Sequence, residues 1–332
     1  MEAGEPFIDS DKNFYRFIDS QFKEYKKDKH VLNLFGADTS SCQLFYEKSD
    51  IISVLPLLDE LKIVMEEIYS NFLDETKTLV DYINLADSEV FNTRLPPILT
   101  KIAYADLTPL TTDQNKLKAF FINIYNVLSI HSVITHYRRE KRLNIFLVER
   151  PVFYASFKYN IGGHNYTLSD IEQGILRKNS SIAVDLTSTV LDFTFGTKGK
   201  GERFNSNDAR RKYVLQYLDA RIHFALNPGT MSSPPYRYYN AEEIDTQLEV
   251  AAREYCQINS YLREEKEKTF EINDLFKFYK TDFAPNDYGL INYVISYLND
   301  EDKERLSKDF DENDFGLKFT SYNWDLNKRF NS

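Results

Sequence analysis

Residues 111–134, TTDQNKLKAFFINIYNVLSIHSVI, set the tightest limit on how this chain can fold. Thr111, Thr112 and Asp113 are residue types that cap a helix, because their side-chain oxygens accept from the free N–H groups of its first turn. Leu117, Phe120, Ile124, Val127, His131 and Ile134 then recur every three or four residues, so the segment reads as a helix facing a core. Asn123 and Asn126 lie three apart and can point at one partner. Buried, they must be hydrogen-bonded. They read either as anchors for the backbone of a loop or as groups that orient a site histidine. His131, on the apolar stripe, reads as core packing.

Around that helix the pattern is mostly helical. Residues 50–73 carry a helical apolar period that breaks near Pro56, and residues 77–85 extend it. Further helices are expected over 97–104, from Asn240 onward, over 289–298, and as a charged helix or tail over 301–313. Residues 157–168, FKYNIGGHNYTL, alternate around Gly162-Gly163 and read as a β-hairpin, with His164 solvated beside the turn. Ser169-Asp170-Ile171-Glu172 has capping-box spacing and opens a helix from Ile171 to Arg177. Residues 178–207 read as a long variable loop whose GTKGKG lacks the spacing of a phosphate-binding loop. Arg221 to Leu226 is a short apolar run, read as a buried strand although a helix fits too. Thr320 to Asn327, with the only tryptophan, packs back on the body. The fold class expected is α+β, predominantly helical, with a small sheet or hairpin.

Charge and cysteine content narrow the function classes. The 332 residues carry a formal net charge of −10, which repels phosphate and argues against a nucleic-acid partner. The basic run Arg138-Arg139-Glu140-Lys141-Arg142 reads as the C-terminal complement of a helix dipole. With 25 Phe, 23 Tyr and one Trp, aromatic side chains must fill much of the core. Cys42 and Cys256 suggest no disulfide framework, and no continuous run approaches the ~18 apolar residues of a membrane span. These features point to a soluble cytoplasmic protein. No zinc-binding spacing occurs and no cofactor is called for.

Chemistry is concentrated in residues 219–239, DARIHFALNPGTMSSPPYRYY. His223 precedes a turn bearing Ser232 and Ser233, and a loop held by rigid elements can present a hydroxyl to an imidazole. N–H groups free at the helix start near Asn240 could bind a developing oxyanion.

This stretch, with KLKAFFINIYNVLSIH (116–131), YNIGGHNYTLSDIEQGILR (159–177), LFKFYKTDF (275–283) and YNWDLN (322–327), resembles the family called domain of unknown function 547. The resemblance runs over Asp106 to Asn327 and implies a mixed α/β domain dominated by helices. Such domains occur alone or downstream of DEP or glutaredoxin-like modules. Phe7-Ile8-Asp9-Ser10 and Phe14-Tyr15-Arg16-Phe17 resemble the closing strands of a DEP domain. The organisation expected is therefore the end of a DEP-like module over 1–30, a helical extension over 31–105 and the family domain over 106–327.

Many relatives carry cysteines where Pro228 and Ser233 stand here, and a histidine at Gln173. His223, Asn123, Asn126, Glu172, Arg177, Arg237 and the Ser232-x-Pro234 framework carry over. A serine ionises far less readily than a thiol, so loss of the cysteines weakens a nucleophilic role. The first expectation is a non-catalytic regulatory or protein-interaction domain of an intracellular signalling protein, with a degenerate enzyme as one form of it. It would have a protein partner and peripheral membrane association through an upstream module. The alternative is a hydrolase or acyl transferase arranged like papain, with Ser233 attacking, His223 as base and Asn126 orienting the imidazole. Arg177 and Arg237, with Glu172 and Asn123, are the candidate binding residues. Their arginine forks suit carboxylate or phosphate, or else form internal salt bridges with Glu172.

Overall fold

The computed structural model describes residues 31–34, 52–145, 149–180, 202–263, 269–309 and 316–329; the DEP-like stretch lies outside them. Helix α1 (Val54–Phe72) is capped by Ser53, whose side chain accepts from Leu55 N. Pro56 falls in its first turn, where a missing N–H costs nothing, so the break expected there does not occur. The expected extension over 77–85 is instead a turn, with Lys77 at φ 59°, followed by α2 (Tyr82–Asp87). A π-helical turn (Val90–Arg94) leads into α3 (Leu95–Ala103), and the short α4 (Thr108–Thr111) precedes the main helix.

That helix, α5 (Gln114–Glu140), starts where Asp113 accepts from Asn115 N and Lys116 N, and ends at Lys141 with φ 56°. It is long and apolar enough to cross a membrane, yet 89% of its apolar window is buried inside the fold. Counting continuous apolar runs misses it because Asn123, Asn126 and His131 interrupt the run. Two of these make long-range bonds to backbone. Asn123 Nδ2 donates to Tyr239 O (2.7 Å), and Asn126 Nδ2 to Ala225 O (3.0 Å). His131 Nδ1 meets Tyr159 Oη at 2.9 Å. The basic run that follows is engaged inside the fold, Arg138 with Ala86 O and Asn92, and Arg142 with Glu149.

After α6 (Arg150–Ser156), strands β1 (Lys158–Ile161) and β2 (His164–Thr167) pair antiparallel across Gly162 and Gly163. Both glycines have positive φ, +55° and +85°, as the expected tight hairpin turn requires. The helix after β2 is capped two residues earlier than its sequence suggests. Thr167 Oγ1 accepts from Asp170 N and Asp170 Oδ2 from Thr167 N, each at 3.0 Å. Residues Asp170–Leu176 are π-helical, and the Arg177 N–H reaches back to Glu172 O. Gly174 passes so close to Phe204 that a Cβ there would lie 2.3 Å from the ring. Asn179 clamps the same Phe204 backbone through both its N–H and its carbonyl.

The expected strand over 221–226 is instead a 3-10 turn, Ala220–Phe224. Asp219 caps it by accepting from Arg221 N, which starts helical rather than extended backbone. Helix α7 (Ile244–Asn259) runs into a sheet of order β3 (Ser260–Arg263), β4 (Thr269–Asn273), β5 (Gly316–Thr320). β3 and β4 are antiparallel, and β4 and β5 parallel. Short α8 (Asp274–Phe278) and α9 (Lys280–Phe283), then α10 (Asp287–Ser296) and α11 (Asp300–Asp309), complete the described chain. The fold is α+β and predominantly helical, as expected.

Two hydrophobic cores result. The larger unites α1–α5, the hairpin and the π-helical segment; the smaller joins α7, β4 and α8–α10. Their seam runs through the 3-10 turn, where Ile222 belongs to the first core and Phe224 to the second. His223 sits between them. Helices α1–α3 share the larger core with α5, so the N-terminal helices complete the body rather than stand beside it.

Candidate functional site

A turn of five residues cannot hold an imidazole in place alone. The chain leaving it is fixed by Asn126, whose carbonyl accepts from Asn227 N (2.9 Å) while its amide binds Ala225 O. Asn227 in turn closes the following loop, accepting from Gly229 N (2.8 Å) and donating to Pro234 O (2.7 Å). Asn126 thus acts on the backbone around the histidine rather than on its ring. Asn123 does the same one turn earlier, pairing both ways with the backbone of Tyr239.

The ring itself faces α9. His223 Nε2 lies 2.8 Å from Asp282 Oδ2, both side chains 5% exposed or less. Arg177 grips that carboxylate through Nε (2.5 Å) and Nη2 (2.7 Å) and also donates to Gln173. Burial lowers the imidazole's pKa, and the Asp282 partner only partly offsets this, so the ring is neutral near pH 7. An ionised carboxylate only accepts, so Nε2 carries the proton and Nδ1 is left as an acceptor. Burial alone would raise the Asp282 carboxyl, but Arg177 and His223 hold it well below the usual carboxylate range. Tyr279 stacks on the imidazole at 3.8 Å between centroids and 22° between planes.

Glu172 anchors the next layer. It accepts from Tyr279 Oη (2.5 Å), Tyr125 Oη (3.3 Å) and Gln173 Nε2 (2.8 Å). Its neighbours Tyr279 and Tyr125 have pKa values pushed well above the phenol range by burial and by the Glu172 charge. His223, Glu172, Gln173 and Ser169 line one side of a cavity of about 90 Å³ at the seam of the cores. Tyr154, Phe278, Tyr322 and Trp324 contribute to its aromatic wall. Ser169 makes no capping bond, despite its position in the sequence.

Ser233 is turned elsewhere. Its Oγ accepts from Thr230 N (2.9 Å) and shares a proton with Thr230 Oγ1 (2.7 Å), which bonds Tyr322 Oη (2.7 Å). Ser232 Oγ accepts from Asn323 N (2.8 Å). Both hydroxyls therefore stitch the turn to the C-terminal segment, which also binds Met231 N through Asp325 O (2.8 Å). Pro228 and Pro234 line the cavity, whereas Ser233, 6% exposed, does not. The structure thus brings His223 and Glu172 to one cavity, with Arg177 behind them on Asp282 and Gln173, and leaves Ser233 in a separate hydrogen-bond chain. Arg237 lies apart, in an ion pair with Glu254. The salt bridges expected with Glu172 are replaced by Asp282 for Arg177 and Glu254 for Arg237.

Residues 109–256 match the family model described as protein of unknown function, DUF547. This segment is similar to that family. Comparison with curated proteins and with solved structures finds no match. The matched segment holds His223, Glu172 and Arg177, while Asp282, Tyr279, Tyr322 and Trp324 come from beyond it and complete the candidate site.

Asp282 and Tyr279 are the functional-site residues that pattern reading passes over. Both stand in the LFKFYKTDF segment, where the lone acid among aromatics was the available signal. Among the described residues, no group of three or more His, Cys, Asp or Glu is placed to hold a metal ion.

Proposed function

We propose that this chain is a non-catalytic regulatory or protein-interaction domain, working in the cytoplasm within a signalling protein. One observation carries the reading: the serine that would have to attack has its hydroxyl closed onto Thr230, in a hydrogen-bond chain that continues to Tyr322 rather than to His223. A serine nucleophile needs a base within hydrogen-bond reach of its own proton. Support for a protein partner comes from Ile258 and Tyr261, which stand 77% and 47% exposed where α7 meets edge strand β3. The resemblance of residues 7–17 to a DEP module supports a signalling context and an upstream link to membranes.

A hydrolase or acyl transferase using Ser233 and His223 is the second reading, favoured by the His223–Asp282 pair beside a cavity. Treating the folded protein with a serine-reactive fluorophosphonate separates the two. No adduct on Ser233 is expected. Stoichiometric labelling of Ser233, mapped by mass spectrometry, would overturn the interaction reading.

A further inference from the structure

The cavity at the seam has a composition that a merely structural void lacks. Its tyrosines have their hydroxyls tied back into the protein: Tyr125 and Tyr279 to Glu172, Tyr154 to Pro228 O, Tyr322 to Thr230. Tyr279 is already covered by His223 and Arg177, so what Tyr125, Tyr154, Tyr322 and Trp324 offer a ligand is ring surface, which attracts cations through its quadrupole. Glu172 supplies a negative charge to the same cavity, and its hydrogen-bond partners Tyr279, Tyr125 and Gln173 are neutral donors. Asp282, by contrast, is already neutralised by the fork of Arg177.

We propose that this cavity binds a small organic cation, specifically a quaternary ammonium group such as a trimethylammonium head. Its volume, about 90 Å³, gives room for a head of that size. The hydrogen-bonding state of Glu172 sets the preference. Three donors already occupy most of the four or so acceptor positions of a carboxylate, so a primary ammonium would leave buried N–H groups unpaired. A quaternary nitrogen has no N–H to satisfy and needs only charge and ring faces. Arg150 is not a lining residue but contacts Trp324 (5.9 Å to its centroid) and Tyr154, so it repels a cation from those two rings and leaves Glu172 as the attracting charge. The inference goes beyond the interaction reading and does not depend on it, since a domain that docks a protein and one that does not would answer the same test.

Trp324 is the only tryptophan in the chain and lines the cavity, so its fluorescence reports the site directly. The whole chain is titrated with choline, with ethanolamine, and with 3,3-dimethyl-1-butanol, the uncharged isostere of choline. Choline is expected to change the emission saturably, and the other two to bind about tenfold or more weakly. Glu172→Gln, which keeps an acceptor oxygen for the tyrosines, is expected to weaken choline by a similar factor. No response to choline up to ~10 mM, where even a ~1 mM site would fill, overturns the proposal. So does equal binding of the neutral isostere, which would make the cavity merely apolar. The comparison of ligands on the native chain stands whether or not the variant folds.

Discussion

The two ends of the central stretch, His223 and Ser233, look in sequence like halves of one device, yet the fold treats them differently. His223 is held by charges that arrive from distant elements, Asp282 on α9 and Arg177 at the end of the π-helical segment. Ser233 is held by its own turn, through Thr230 three residues earlier, and by Tyr322 beyond it. The first end faces a cavity and joins two cores; the second seals a loop against the C-terminal segment. A histidine and a serine close in sequence therefore need not share a proton. Here each is stabilised by partners that keep it from the other.

The largest effect expected from breaking this contrast falls on the histidine end. Asp282→Ala leaves the Arg177 charge and the His223 N–H buried without their acceptor. It should destabilise the fold by about 3–5 kcal/mol in chemical denaturation, the usual result of halving a buried ion pair. Ser233→Ala should cost less, about 1–2 kcal/mol, because one hydroxyl is removed and the Thr230 N–H loses its acceptor. Equal losses for the two variants would mean that the ends are equally structural, and the contrast would fail.

These contrasts also mark what could be read in advance. α5 and the hairpin were legible because each is dictated locally, one by a three-to-four period with Asp113 as cap, the other by two adjacent glycines. The 3-10 turn at His223 was not, since three apolar residues in a five-residue window satisfy either period. The location of the site was legible in the histidine-bearing stretch. Its partners were not. Arg177 and Asp282 are 105 residues apart in the chain. A carboxylate five residues before Arg177 made Glu172 the natural guess. Arg177 instead meets Gln173, four residues back on the same face, and turns its fork to Asp282 on α9. The cavity's aromatics were hidden for a different reason: in a chain this rich in Phe and Tyr, a ring lining a cavity has no pattern distinct from one filling a core.

The smallest expected effect concerns pH and sharpens the contrast from within the histidine end. Burial lowers the pKa of both His223 and His131, the latter to about 3, but only His223 has a carboxylate opposing the shift. A depressed folded pKa means that the unfolded chain takes up the proton first. The stabilisation is therefore complete above the unfolded value of about 6.5 and shrinks as pH falls below it. Asp282 adds a second loss only below about pH 4, where the unfolded carboxylate protonates and the folded one resists. Between pH 7.5 and 5 the slope thus belongs to the buried histidines, His131 and His223 among them. His131→Gln keeps a hydrogen-bonding partner for Tyr159 and removes one titration. Its denaturation midpoint should vary less over that range than that of the native chain. An unchanged slope would mean that His131 is not held neutral by burial.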